Sequence, residues 1–316
     1  MGGEARFSHN PVLLRETIEI LSIREDGVYI DATAGGAGHS GEIAKRLTTG
    51  QLLSIDKDPD AVKAASQKLT QYPGASVVKG DFKDIAQIAS QAGVDRADGI
   101  LMDLGVSSHQ LDEAQRGFSY HQEAPLDMRM SQQGMSAYDV VNGYTVNDLA
   151  RVLKEYGEEK FSYRIAQSIA REREKKPIGN TLELADIIRS AIPAATRREG
   201  GHPAKRSFQA IRIEVNGELT ALECALDYAF DLLSVGGRLA IITFHSLEDR
   251  MVKRRFETFA RGCTCPPDFP ICVCGRTPQG RNITKKPVTA GEEELEQNNR
   301  SHSAKLRCIE KIKDRD

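Results

Sequence analysis

The chain has 316 residues, with 43 Lys and Arg against 45 Asp and Glu and a formal net charge of -2. That length exceeds what one hydrophobic core usually serves, so more than one folded unit is expected, and the near-neutral balance confines any RNA contact to a local patch. No apolar run of about 18 residues offers a membrane span, and the opening "MGGEARFSHNPVLL" lacks the apolar stretch of a signal peptide, so a cytoplasmic protein is expected.

In chain order, apolar and β-branched runs alternate with helical segments over the first hundred residues, the pattern of a parallel sheet with crossover helices. Strands are predicted at 28–32, 52–55, 76–78 and 99–102, with helices at 40–47 and 59–69, the second opened by Asp58-Pro59. After Asp103 about a hundred residues pass with no strand pattern, and helices are predicted at 146–156, 158–173 and 181–191. A long helix over 208–233 and the apolar run of "VGGRLAIITF" then return the chain to the sheet. A basic helix from Ser246, a cysteine-rich loop, an acidic solvated helix in "GEEELEQNN" and a last strand at 305–309 complete it. The expected fold is α/β: a doubly wound, Rossmann-like sheet domain (1–105 with 206–316) carrying an inserted all-helical domain (106–205).

"DGVYIDATAGGAGHSGEIAKRL" holds the densest signal, because Gly36-Ala37-Gly38-His39-Ser40-Gly41 has the G-x-G-x-x-G spacing between strand and helix. Such a loop brings backbone N–H groups and a helix start to an anion, which suits a dinucleotide pyrophosphate or the carboxylate of S-adenosylmethionine (SAM) equally well. The strand ends separate the two. Each of the first four strands leads to an acid, Asp31, Asp56, Asp81 and Asp103, all at the sheet edge where open α/β folds bind ligands. Asp56 is placed for ribose hydroxyls, and Asp81-Phe82 for an adenine amino group and ring. Carboxylates at Asp31 and Asp103 favour a ligand with ammonium and sulfonium charges and repel a diphosphate. Taken singly, any of these acids also serves as a helix cap or turn residue.

The run "DLGVSSHQLDEAQRGFSYHQEAPLDMRM" (103–130), with "HNPVLLRE", "FQAIRIEVNGEL" and "FHSLEDRMVK", closely resembles the bacterial 16S ribosomal RNA cytosine-N4 methyltransferases, the RsmH or MraW family, over nearly the full length. The resemblance implies a SAM-dependent enzyme that methylates N4 of a decoding-centre cytidine, position 1402 in the usual rRNA numbering, with 16S rRNA or the small ribosomal subunit as partner, no membrane, and a monomer or a dimer. It also implies a helical insertion after the fourth strand and SAM contacts at Ala37, Gly38, His39, Asp56, Phe82, Asp103 and Gln110. The family's Arg-Thr-Phe-Gln-Ala stands here as Arg206-Ser207-Phe208-Gln209-Ala210, which keeps the hydroxyl.

Cytosine N4 is a weak nucleophile whose lone pair is delocalised into the ring, so an acceptor for its N–H bonds and in-line positioning are the main demands. Asp103 is the candidate catalytic acceptor, or a cofactor ligand only. "Asp103-Leu104-Gly105-Val106" is not the Asp-Pro-Pro-Tyr type of tetrapeptide found in many amino methyltransferases, so a stacking aromatic must come from elsewhere: Phe118, Tyr120 or Phe244, each equally readable as core. His245 is a candidate proton acceptor, while Ser246 with Asp249 reads as a helix capping box.

Between Arg250 and Lys286, Arg250, Lys253, Arg254, Arg255, Arg261, Arg276, Arg281, Lys285 and Lys286 face only Glu257 and Asp268, the clearest phosphate-binding stretch or else a solvated face. Arg206 and Arg254 are candidate substrate contacts, and Lys175-Lys176, Arg197-Arg198 and Lys205-Arg206 are smaller basic clusters. Of six cysteines, Cys263, Cys265, Cys272 and Cys274 form two Cys-x-Cys pairs, closer than the usual zinc spacing, so thiols and no metal are expected.

Overall fold

The computed structural model describes residues 11–195, 201–261, 263, 265, 266 and 268–314. The basic pair Arg197-Arg198 lies outside these. Two compact units result, Val106–Glu218 and, among the described residues, 11–105 with 219–314.

The larger unit begins with α1 (Leu14–Leu21), β1 (Val28–Asp31), α2 (Gly38–Ala44) and β2 (Gln51–Asp56). It continues through α3 (Pro59–Leu69), β3 (Ala75–Lys79), α4 (Ile85–Gln91) and β4 (Ala97–Asp103). Asp58 caps α3 by accepting from Asp60 N at 3.0 Å, with Pro59 supplying the preset φ of a first turn.

In the second unit, α5 (Ser108–Asp112), α6 (Ala137–Gly143), α7 (Val146–Glu155), α8 (Ser162–Lys175), α9 (Thr181–Ala191) and α10 (Lys205–Asn216) surround one core. Leu149, Val152 and Leu153 of α7, Ile165 and Ile169 of α8, Leu184 and Ile188 of α9 and Phe208 and Ile211 of α10 meet there at helical i, i+3, i+4 spacing. Ser107, Ser136, Thr145 and Asn180 cap four of these helices through their side chains. No strand forms among the described residues of this unit; Pro125 and Asn180 make a single bridge.

The chain then returns through α11 (Glu218–Leu232), β5 (Leu233–Thr243), α12 (Ser246–Arg261), β6 (Gly280–Asn282), α13 (Glu292–Gln297) and β7 (Lys305–Lys311). The seven strands order as β3-β2-β1-β4-β5-β7-β6, parallel except that β7 runs antiparallel to both neighbours. Side chains alternate between the two faces as strand geometry requires. Ile30, Ile100, Met102, Leu239 and Ile241 pack with α4, α11 and α12, while Tyr29, Leu101, Ala240 and Ile242 pack with α1, α2 and α3. The fold class is therefore the expected doubly wound α/β sheet.

Two expectations change. The single helix over 208–233 is two, because Gly217 adopts φ 58, ψ 32 and closes α10 in the left-handed conformation that glycine reaches without a Cβ clash. The return to the sheet unit accordingly falls at 219 and not at 206, since α10 packs with the helices that precede it. The acidic helix is solvated as expected, with no buried residue.

Candidate active site

Parallel pairing places Asp31, Asp56 and Asp103, each the last residue of its strand, on one edge of the sheet, with Asp81 just beyond β3. Asp31 is 1% exposed and accepts from Ser40 Oγ at 2.6 Å and from Thr33 N at 3.2 Å. Burial raises its pKa, and those hydrogen bonds oppose the shift. Asp56 accepts from Gly35 N at 2.8 Å and from Asp58 N at 2.9 Å, so its carboxylate fixes the start of the glycine loop. Burial pushes its pKa up to about 6. Asp81 caps the short 3-10 turn Phe82–Asp84, accepts from Lys83 N at 3.2 Å and faces the Lys57 ammonium at 3.7 Å; the half-buried Phe82 packs on the sheet core.

The glycine loop is built for close backbone packing. Ala37, fully buried at φ 54, turns the chain into α2, and a Cβ at Gly38 would lie 2.2 Å from Pro11 Cγ. Val12 O accepts from His39 Nε2 at 3.1 Å, and Leu13 N donates to Glu294 Oε1 at 2.9 Å, so the segment starting at Pro11 lies against the loop and is tied to α13. His39 is 5% exposed, and burial pushes its pKa down to about 4. The imidazole is then neutral, its proton on Nε2, with Nδ1 3.6 Å from Asp103 Oδ2.

Asp103 is the centre of the arrangement. Its N–H donates to Thr33 Oγ1 at 2.6 Å, while Oδ1 is buried without a hydrogen-bond partner among the described residues. Burial, then the nearby carboxyls of Asp31 and Glu248, hold its pKa well above the ordinary carboxylate value. Among the described residues neither Asp31 nor Asp103 has a Lys or Arg partner. A site with crowded, unpaired acids gains from a cation and loses from a diphosphate, so the residues fit the sulfonium and ammonium of SAM.

Glu248 was not singled out in the sequence. Its Oε2 accepts from Phe244 N at 2.8 Å and from His245 N at 3.2 Å, and its own N–H donates to His245 Nδ1 at 3.4 Å. This is a reciprocal cap in which His245 takes the place of Ser or Thr. The expected box of Ser246 with Asp249 is replaced: Asp249 pairs with Arg307 at 2.7 Å and Lys305 at 3.3 Å. His245 Nε2 lies 3.1 Å from Glu248 Oε1 but out of line for a hydrogen bond. The ring is buried and faces Glu248 on both nitrogens, so accepting a substrate proton would require it to leave the cap. The signal, His-x-x-Glu after a strand, was legible as a capping box with an unusual first member.

Phe244 lies half-buried, its ring 3.3 Å from where a Cβ on Gly105 would stand. Arg254 is exposed. Within the basic stretch Lys253 pairs with Glu257, Arg255 with Asp227 and Arg281 with Glu310. Arg254, Arg261, Arg276, Lys285 and Lys286 make no ion pair among the described residues, which leaves their charge for a ligand.

The remaining candidates lie in the helical unit. Gln110 is buried at the start of α5, where its Oε1 accepts from Ser107 N at 3.0 Å. Phe118 is a core residue, 7% exposed, under the Arg116 guanidinium. Tyr120 stacks on His202 at 4.6 Å and meets Phe208 edge-on at 5.5 Å. Arg206 is exposed and reaches Glu158 O at 3.4 Å.

Curated relatives match along the whole chain. A protein of Clostridium botulinum (strain Kyoto / Type A2) named ribosomal RNA small subunit methyltransferase H is 56% identical over 308 residues, covering 97% of this chain and 99% of its own. Proteins of the same name from Lachnospira eligens and Symbiobacterium thermophilum are 51% and 52% identical, covering 99% and 97% of this chain and 100% and 97% of their own. The family described as the MraW methylase family matches residues 6–312, and this chain belongs to it.

Proposed function

We propose that this protein is a SAM-dependent methyltransferase of small-subunit ribosomal RNA that methylates N4 of a cytidine, the decoding-centre position 1402 of 16S rRNA. The observation that carries the reading is Asp103, a carboxyl at the end of β4 with a buried oxygen that lacks a hydrogen-bond partner among the described residues and with the acids Asp31 and Glu248 nearby. Family membership and the relatives' shared name support the RNA substrate.

Bound SAM supplies an electrophilic methyl group. Asp31 and Asp103 balance its positive charges, Asp56 receives ribose hydroxyls on the lone pairs that Gly35 and Asp58 leave unused, and Asp81 with Phe82 takes the adenine. Ala37, Gly38 and His39 shape the wall of the site. Asp103 accepts an N4–H bond of the cytosine, which localises the amine lone pair and stabilises the positive charge developing on nitrogen. By analogy with oxyanion donors this contributes roughly 3–4 kcal/mol. Asp103→Asn is therefore expected to lower kcat by about 10²–10³-fold with RNA affinity little changed. Phe244 is the aromatic contact for the cytosine, and Arg254 binds backbone phosphate.

The test is transfer of labelled methyl to small ribosomal subunits or free 16S rRNA from cells lacking the protein, followed by mass mapping of modified nucleosides. N4-methylcytidine at one decoding-centre position is expected; methylation of carbon or ribose, or none on either substrate, would overturn the reading. Calorimetry with SAM and NAD separates it from an oxidoreductase, for which the acid ring predicts no measurable NAD binding.

A further inference from the structure

Between α12 and β6 the described residues from Cys263 to Gln279 carry no secondary structure, and a connection of that length usually marks function. Its apolar side chains do not fold inward. Phe269, Ile271 and Val273 are 51%, 74% and 72% exposed, so no miniature core holds the loop. The four cysteines converge instead, Cys272 exposed and Cys263, Cys265 and Cys274 half-buried. The Sγ atoms of Cys263, Cys265, Cys272 and Cys274 all lie within 4.8 Å of one another. Cys263 to Cys272 and Cys272 to Cys274 measure 3.5 Å, and Cys274 to Cys263 measures 3.7 Å.

These separations select a chemistry. A disulfide needs about 2.05 Å between sulfurs, which no measured pair approaches. Four thiolates around one zinc ion, at Zn–S of about 2.3 Å, stand about 3.8 Å apart in a tetrahedron. A cluster of several irons with bridging sulfides needs wider spacing than this cage offers. Single-ion S4 sites are the tetrahedral preference of zinc.

We propose that Cys263, Cys265, Cys272 and Cys274 form a structural zinc site that closes this loop. The sequence expectation of no metal rested on the short spacing inside each Cys-x-Cys pair; the fold supplies what spacing alone does not, by bringing the two pairs together. Binding exchanges four S–H bonds for four Zn–S bonds, releases four protons to water and changes no oxidation state. The zinc tetrathiolate carries two net negative charges, and Arg261 and Arg276, which bracket the cysteines in sequence, offset them. The closed loop then gives the unpaired basic residues of this stretch a fixed frame. That last consequence rests on the proposed RNA substrate; the zinc site itself does not.

The full-length chain, purified under reducing conditions without an affinity tag that binds metal, is assayed for metal by mass spectrometry. One equivalent of zinc is expected, and replacement by cobalt should give intense tetrahedral d–d bands with thiolate charge transfer. Cys272→Ser should lose the zinc and expose the loop to trypsin at Arg261 and Arg276, while Cys224→Ser, on α11, should keep it. SAM binding reports that each variant is folded. Wild-type protein without metal, iron in place of zinc, disulfides in freshly reduced protein, or full zinc in Cys272→Ser would each overturn the site.

Discussion

At the residue scale the site is a contest between burial and charge, and pH makes it measurable. His39 has its folded pKa depressed from 6.5 to about 4, so the stability that its neutral form contributes is complete above about pH 6.5 and is lost as pH falls through about 4. Against a His39→Gln variant, whose amide can still donate to Val12 O, the wild-type advantage should shrink by on the order of 3 kcal/mol between pH 7 and pH 4, read from denaturant melts at each pH. Asp56 works the other way over nearly the same interval: its raised pKa makes the ligand-free fold lose stability as pH rises from about 3.8 to about 6. Ligand binding follows from Asp31 and Asp103, both raised. A cationic ligand needs them ionised, so affinity for SAM should rise with pH, and S-adenosylhomocysteine, which lacks the sulfonium charge, should show a shallower slope; equal slopes in calorimetry would remove Asp103 from the charge-balancing role. The acids were legible because an Asp ending each strand is a pattern of single letters. Thr33 and Ser40 were not, because small hydroxyl residues carry no signal until the fold aims them.

At the element scale, periodicity and caps made most of the secondary structure readable. The buried strands β1, β2 and β4 read as apolar runs, and α3 announced itself with Asp58-Pro59. Short elements escaped. α4 and α6 are seven residues each and β6 is three, too few for a period to establish itself. The break at Gly217 escaped because "RIEVNGELTAL" keeps its helical spacing across the glycine, and only the positive φ ends α10. Gly217→Ala should therefore destabilise the helical unit by about 1 kcal/mol, visible in thermal melts, because a Cβ is strained in that conformation. The start of α12 offers a second check. Removing the carboxylate with Glu248→Ala strips acceptors from Phe244 N and His245 N and should cost about 1–2 kcal/mol. The same variant should lower methyl transfer if Glu248 holds the rim of the site, and a loss of stability with transfer unaltered would confine it to capping.

At the scale of the whole molecule, near-neutral charge hides a local one. The five cations between Arg254 and Lys286 that make no ion pair among the described residues predict salt-sensitive RNA binding, and Arg254→Ala or Lys285→Ala should each reduce the slope of log affinity against log salt by about 0.7–0.9. A slope that stays put would make the stretch a solvated face. The existence of an insertion was visible in the sequence as a hundred residues without strand pattern; its end was not, since α10 has the amphipathic character of a sheet-covering helix and only its packing partners assign it. Among the described residues no helix is long and apolar enough to cross a membrane.

The insertion also leaves a mark on how the chain must acquire its shape. Asp103 pairs with Ile242 in neighbouring strands, although the entire helical unit lies between them in the sequence. Closing so long a segment before any contact rewards it is a slow step, and it becomes faster once the intervening residues are already collapsed. Refolding should thus be sequential, with tryptic resistance of the helices preceding the burial of Tyr29, and variants that weaken the α7–α10 core should delay recovery of the sheet well beyond their effect on equilibrium stability.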